Sequence, residues 1–400
     1  MRRSLPLPAS ARTALTDTPA PPVRRTTEVI AELLPVADRR ILEVGCGEGA
    51  LLGSLRRRGA EAIGLELEAE RLERAAAVLG RAGLVAGTGA ALPLASASLD
   101  GVLYHNSLHH VPVLQQTEAL VEARRVLRPG GRLLVLEPLA EDEYFELVRP
   151  LEDETAVRAA ATSALARAEA LVFRPVVRTR YVQLVQRRSL EELLSALVGA
   201  DPARAAGLAR ARAPIAAAFA RLGTATAEGR SFRQPMQVVC LERPAGGVDP
   251  EVARSPAERA EALALRMAVF VGEQGVPAEL EVDAFEDEAE HAVARLDGRI
   301  VGCLRWRRVG SAGAVKIERV AVRPEARGRG VARTLLRWLL ARLDGLGLGP
   351  LVLDAQVHAQ GLYAGLGFRP EGTPFVEAGI PHQRMVRAGP YATTSGPAAD

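Results

Sequence analysis

One pattern constrains this 400-residue chain more than any other, and the chain carries it twice. A short apolar run enters a glycine-bearing turn, and the turn opens a helix. The first copy is Arg40-Ile-Leu-Glu-Val-Gly-Cys-Gly-Glu-Gly49, with a helix expected over Ala50 to Arg58. In the second, Val315 to Val322 alternates like a strand and stops before Pro324. It continues through Arg327-Gly-Arg-Gly-Val-Ala332 into a helix with Leu335, Leu336, Leu339, Leu340 and Leu343 on one face. Glycine permits backbone angles closed to other residues and lets a ligand approach the main chain. The helix start beyond it offers unclaimed N–H groups and a positive dipole. Strands alternating with helices predict an α/β chain with a parallel sheet.

A chain of this length predicts two or three domains. The net charge of only +3 and the 4% aromatic content argue against a nucleic-acid partner, which calls for clustered positive charge and stacking platforms. The basic residues are almost all arginine, with Lys316 the single lysine. Cys46, Cys240 and Cys303 lie far apart, without metal-ligand spacing, as expected of free thiols in a reducing compartment. No run approaches the roughly 18 apolar residues of a membrane span, and prolines follow Met1-Arg2-Arg3 where a signal peptide would be apolar. A cytoplasmic protein with small-molecule partners is expected, without nucleic acid or membrane.

Composition marks the boundaries. Residues 1–24 and 389–400 are expected to lack structure. Residues 25–243 form the first domain, with 141–230 read as a helical region over the acceptor pocket and Pro235 to Leu241 as a strand. The turn-rich Arg243-Pro-Ala-Gly-Gly-Val-Asp-Pro250 marks a linker at 244–255, and 256–388 is the second domain.

After the first glycine turn a second strand ends at Glu66, which lies 21 positions beyond Gly45 (66 − 45). That is about the 20-residue spacing of an acid that grips a ribose diol. A glycine turn alone could be a tight strand-to-helix connection; the full succession of strand, turn, helix, strand and acid favours a ligand site. With Ala91-Leu-Pro-Leu94, Leu99-Asp-Gly-Val102 and Arg125-Val-Leu-Arg-Pro-Gly-Gly-Arg-Leu133, this stretch resembles the class I S-adenosylmethionine (SAM)-dependent methyltransferases of the type 11 kind, over about residues 27–140. The resemblance implies a Rossmann-like doubly wound domain. It implies that Gly45, Cys46 and Gly47 pass the cofactor, that Glu66 binds the ribose hydroxyls, and that Glu43 acts on the amino group or a water. Thr88, beside Gly89, stands where the family often has an aspartate for the adenine.

His105-Asn-Ser-Leu-His-His110 follows the fourth strand, where the acceptor should sit. On a loop this spacing fixes no metal geometry, and no neighbouring acid completes a ligand set; no metal is expected. His109 and His110 are candidate pocket residues, either of them a candidate base, with ordinary structure as the alternative.

The second turn, with Gln360-Gly-Leu-Tyr-Ala-Gly-Leu-Gly-Phe368, resembles the GNAT N-acetyltransferases. Val269-Phe-Val-Gly-Glu-Gln-Gly-Val-Pro277, Lys316 to Val322, Asp354-Ala-Gln356 and Glu377-Ala-Gly-Ile-Pro-His382 place it near the ElaA/YjcF-like branch, over about residues 258–387. The resemblance implies a separate α+β domain with a splayed mixed sheet. Acetyl-CoA would lie along the main chain of Val320, Ala321 and Val322. Its pyrophosphate would meet Arg327, Gly328, Arg329, Gly330, Val331 and Ala332, and Tyr363 would protonate the leaving thiolate. An amine acceptor must lose a proton before attack. By strand alternation Glu318 faces the same side as Val320, which makes it the first candidate base; an ion pair with neighbouring basic residues is the alternative. His291 and His382 are rivals, and the acids from Glu279 to Glu290 either attract a cationic amine or form a solvated loop.

The combined expectation is a bifunctional transferase acting on small molecules. Two alternatives stand beside it: an active acetyltransferase carrying a degenerate or SAM-sensing first domain, and a non-enzymatic sensor of the two cofactors.

Overall fold

The computed structural model describes residues 20–310 and 313–390; most of the two terminal segments expected to lack structure, 1–19 and 391–400, lies outside them. The chain divides into two compact units. Of the described residues, the larger holds 30–140, 153–178 and those from 238 on; the smaller holds those up to Val29, 141–152 and 179–237.

After α1 (Thr26–Leu33), the first sheet is built from β1 (Arg40–Val44), β2 (Glu61–Glu66), β3 (Leu84–Ala86), β4 (Leu99–His105) and β5 (Leu127–Pro138), with α2 (Ala50–Arg57), α3 (Ala69–Leu79) and α4 (Gln116–Val126) as crossovers. These strands pair in parallel in the order β3-β2-β1-β4-β5. β1 is buried from Ile41 to Val44, as a central strand covered on both faces must be. The order reverses between β1 and β4, which opens a crevice at their carboxyl ends.

The next stretch holds α5 (Asp142–Val148), α6 (Thr155–Ala166), β6 (Arg174–Arg187), α7 (Leu190–Ala200), α8 (Ala205–Arg221), β7 (Thr224–Thr226) and β8 (Gly229–Glu242). It corrects the expected helical region over 141–230, which also holds strands. β6 is a 14-residue strand, and the sheet order continues from β5 to β8 to β6. Only Tyr181, Val182 and Val185 of this strand are buried, and its arginines and exposed valines give a composition with no strand alternation to set it apart from a helix-forming stretch. The smaller unit closes around Leu147, Leu193, Leu194, Ile215 and Phe232. Within it Val23 bridges Val182, so the last residues of the first segment expected to lack structure are ordered.

The second sheet belongs to the larger unit. Its elements are β9 (Asp249–Val252), α9 (Pro256–Arg266), a π-helical turn (Met267–Glu273), α10 (Ala278–Glu281), β10 (Glu290–Leu296), β11 (Arg299–Val309), β12 (Ala314–Val322), α11 (Val331–Gly345), β13 (Leu351–Gln356), α12 (Gln360–Ala364), β14 (Arg369–Pro370), β15 (Phe375–Glu377) and β16 (Ile380–Arg387). The order is β14-β16-β13-β12-β11-β10-β9, with β15 on β16. Ser255 starts α9 with a reciprocal cap: Ser255 Oγ accepts from the Glu258 N–H and Glu258 accepts from the Ser255 N–H. The linker expected over 244–255 is also corrected, since its residues Asp249 to Val252 are strand β9 paired with β10. Arg243 fixes this stretch through Asp249 (2.5 Å) and the Leu127 carbonyl (2.5 Å).

The two sheets are distinct, yet α4 and α11 bury residues of both in one apolar core that includes Leu120, Val121, Leu335, Trp338 and Leu339. Charged pairs rim this contact: Arg342 with Glu118 and Glu290 (2.7 Å each), Arg254 with Glu122 (2.6 Å) and Arg124 with Asp249 (2.6 Å). Among the described residues no helix is long and apolar enough to cross a membrane.

Candidate active sites

The first glycine turn closes the carboxyl end of β1. Gly45, Gly47 and Gly49 all have positive φ (73°, 54° and 83°). The Gly45 and Cys46 N–H groups donate to the Leu65 carbonyl (2.8 and 3.0 Å), which pins the turn to β2. Gly49 caps α2, whose first intrahelical bond in the turn runs from the Gly53 N–H to the Gly49 carbonyl (2.8 Å). The N–H groups of the preceding three residues lie outside that ladder. A side chain at Gly45 would meet Ser107 Cβ at 2.8 Å, so only glycine lets the turn lie against the β4 loop.

Two acids sit under this turn. Glu66 accepts from the Gly47 N–H through Oε2 (2.8 Å) and from the Leu67 and Glu68 N–H groups through Oε1 (2.8 and 3.0 Å). Its carboxylate therefore shapes the turn, and its remaining lone pairs stay available to hydroxyl donors. Glu43 is 3% exposed, and its Oε2 has no hydrogen-bond partner among the described residues. Burial, and then the charge of Glu66, push its pKa from 4.5 to about 8. Such an acid fits an amino group brought by a ligand. Thr88 Oγ1 accepts from the Ala90 N–H (3.4 Å), and Gly89 lies against Tyr104 and Val44.

The loop after β4 brings further polar atoms to the same end of the sheet. His105 Nε2 and Asn106 Oδ1 are buried without partners among the described residues, and Asn106 holds a φ of 54°, uncommon outside glycine. Both lie in the His105-to-His110 run, of which the sequence singles out only His109 and His110 as candidates; that Asn106 is the lone asparagine is the one further signal that could have marked it. His109 Nδ1 bonds Glu137 Oε2, while Glu137 Oε1 accepts from the Ser107 and Leu108 N–H groups (3.1 and 2.8 Å). The His109 and His110 rings lie 4.1 Å apart.

In the second sheet β12 pairs with β13 only at Val315–Leu351 and Lys316–Val352. Beyond Lys316 the strands part. A cavity of about 510 Å³ fills the opening, lined by residues that include Glu318, Val320, Val322, Gln356, Tyr363 and His382. On the other edge, Cys303 faces Ala321 while Arg305 faces Glu318. Leu304 alone is thus left opposite two residues of β12, Arg319 and Val320, a bulge in which Arg319 holds a φ of 56°.

The bulge interrupts the alternation that would align Glu318 with Val320. The Glu318 carboxylate is also engaged by Arg305 (2.8 Å), Arg307 (3.3 Å) and Lys316 (3.3 Å). Burial alone would raise its pKa, but these cations outweigh it and hold the group below its ordinary value. A carboxylate held so low is a weak proton acceptor at neutral pH, which corrects its expected role as first candidate base. His291 is buried, bonds the Glu286 carbonyl (3.1 Å) and does not line the cavity. His382 does line it. Its Nδ1 lies 2.8 Å from the Ile380 carbonyl, an acceptor only, so the neutral ring carries its hydrogen on Nδ1 and presents the Nε2 lone pair.

Tyr363 is 8% exposed at the cavity wall, and burial pushes its hydroxyl pKa up to about 12. Nearby, Gly328 and Gly330 have φ of 75° and 77°, and no atom of the described residues comes within 4 Å of where a Cβ would stand on either. A smaller cavity of about 260 Å³ lies against Arg327, Gly328, Gly330, Val331 and Ala332. The first bond of α11 in this turn runs from Thr334 N–H to Gly330 O (2.9 Å), so the N–H groups of Val331 and Ala332 lie outside the helix ladder, as an anion cradle requires. Arg327 forks onto Glu273 (2.7 and 2.6 Å).

Comparison with known proteins assigns the two sites to two families. Residues 42–135 match the methyltransferase domain family and residues 254–388 the acetyltransferase (GNAT) domain family. An uncharacterized N-acetyltransferase of Bacillus subtilis, YjcF, is 37% identical over 138 residues, covering 34% of this chain and 96% of the relative. An uncharacterized methyltransferase of Mycobacterium tuberculosis is 39% identical over 106 residues, covering 26% of this chain; the chain spans only 42% of that relative's length. A crystal structure of an acyl-CoA N-acyltransferase from Pseudomonas aeruginosa aligns at 33% identity over 36% of this chain and all of its own, with a TM-score of 0.33. The chain is thus a two-domain transferase, a methyltransferase domain followed by an acetyltransferase domain that belongs to the GNAT family.

Proposed function

We propose that the chain transfers a methyl group from SAM and an acetyl group from acetyl-CoA to small-molecule acceptors, the acetyl acceptor being an amine. The parting of β12 from β13 carries the acetyl half of this reading. It leaves the β12 edge unpaired from Ile317 onward, beside a cavity that reaches Tyr363 and a phosphate-sized cradle at the start of α11. Acetyl-CoA supplies an activated thioester and SAM a sulfonium methyl; the protein supplies alignment and proton handling. His382 Nε2 takes a proton from the acceptor ammonium. The Tyr363 hydroxyl, still protonated at neutral pH, gives one to the departing sulfur. Glu318, bound to three cations, steadies the wall.

In the methyl half, Glu43 meets the amino group of SAM, Glu66 its ribose hydroxyls, and Gly45 and Gly47 let it lie on the main chain. The unpartnered Glu43 Oε2 supports this, because a buried carboxyl without a donor is costly unless a ligand supplies one. Titration calorimetry of the full chain with SAM and with acetyl-CoA tests both halves. Two independent sites are expected. Acetyl-CoA binding without SAM binding would reduce the first domain to a degenerate module, and binding of neither would end the proposal.

A further inference from the structure

We propose that His109, His110 and Glu154 form a site for a divalent first-row metal of the zinc type, with Glu137 as the carboxylate that orients it. Local sequence does not mark Glu154, which lies 44 positions beyond His110 (154 − 110). The fold brings it back: one ring nitrogen of each histidine and one Glu154 oxygen all lie within 4.8 Å of one another. His109 Nε2 stands 3.9 Å from Glu154 Oε1. That is too long for a hydrogen bond, and it is close to the separation of two donors sharing one ion, roughly 3–4 Å when each bond is ~2.1 Å.

The surroundings agree with such a site. His109 Nδ1 bonds Glu137, itself fixed by the Ser107 and Leu108 N–H groups. This arrangement sets the ring orientation and leaves Nε2 as the electron-pair donor, as behind metal-bound imidazoles generally. The other Glu154 oxygen, Oε2, accepts from Arg158 Nε (2.9 Å), and ligating carboxylates are themselves usually hydrogen-bonded in this way. His109 is 4% exposed whereas His110 is exposed, so the set is anchored on the protein side and open toward solvent. Two imidazoles and one carboxylate suit zinc and its neighbours and leave positions for water or an acceptor. The loop stands at the carboxyl end of β4, where acceptors of such sheets are handled. The ion would therefore sit where it can polarise an acceptor hydroxyl or carboxylate.

The test uses the metal-stripped full chain, titrated with Zn²⁺ against a chromophoric chelator and separately with Co²⁺, whose visible absorption reports its ligands. One equivalent of Zn²⁺ is expected. His110→Ala and Glu154→Gln should each weaken it at least ~10-fold and alter the Co²⁺ spectrum, and Glu137→Gln should weaken it by roughly 10–100-fold. His110 is exposed, so its substitution leaves the fold intact, and unchanged acetyl-CoA affinity serves as the folding control for every variant. Failure of the wild-type chain to bind Zn²⁺, or equal binding by wild type, His110→Ala and Glu154→Gln, would overturn the site. Neither result depends on SAM binding.

Discussion

The two glycine turns share a pattern in sequence and differ in what surrounds them. At the first, a side chain on Gly45 would strike Ser107 and one on Gly49 would strike Leu79 at 2.6 Å; at the second, Gly328 and Gly330 have open space where a side chain would begin. The first turn rests on acids, Glu43 and Glu66. The second stands among arginines, Arg327, Arg329 and Arg333. Glycine therefore serves close packing in one case and an unhindered left-handed backbone in the other. The charge around each turn differs in the groups it suits: acids suit amino and hydroxyl groups, while arginines and helix N–H groups suit an anion.

The largest expected effect separates the two chemistries. Tyr363→Phe should lower kcat for acetyl transfer by about 10²-fold or more and leave methyl transfer unchanged. Assay of both activities on one preparation checks this, and equal turnover would remove Tyr363 from proton transfer. Next in size, Gly45→Ala should cost about 2–3 kcal/mol, from its positive φ and its collision with Ser107, and should abolish SAM binding. Gly328→Ala, strained but not crowded, should cost only about 1 kcal/mol. Denaturant melts of the pair sharpen the contrast, and equal losses would break it.

A smaller effect tests the acid under the first turn. Glu43 has a pKa raised to about 8 in the folded chain against 4.5 for the ordinary group. Between these values the folded state holds the extra proton, so stability falls as pH rises from about 4.5 to 8. Glu43→Gln should flatten this slope in melts followed across that range. In the wild type, SAM binding near pH 7 should release a proton as its ammonium draws Glu43 into the charged form. Calorimetry in buffers of different ionisation enthalpy reads that release; its absence would detach Glu43 from the ligand.

What sequence makes visible here is local. The glycine turns, the leucine face of α11 and Tyr363 all declare themselves within a dozen residues, because turn geometry and helix period act over that range. The parting of the second sheet followed from family resemblance, and the register of β12 against β13 bears it out. What stays hidden depends on distant partners. For Glu318 the sequence leaves a base and an ion pair both open, and only Arg305 and Arg307 on the neighbouring strand decide for the pair. His109 and His110 lack acids in their own stretch until β5 brings Glu137 and Glu154, at the start of α6, folds back to them. The strand at Asp249–Val252 hides in a turn-rich stretch because only β10 completes its hydrogen bonds.

The apolar seam between α4 and α11 has a consequence for how the chain lives and breaks. Val121 and Leu120 on one helix and Trp338 and Leu339 on the other lie in a single core, so heat should dissolve the two sheets that share it in one cooperative endotherm. A gene cut at residues 244–255 would release two fragments, each with a raw greasy flank. Fusion here is structural as well as genetic: each transferase is part of the other's interior.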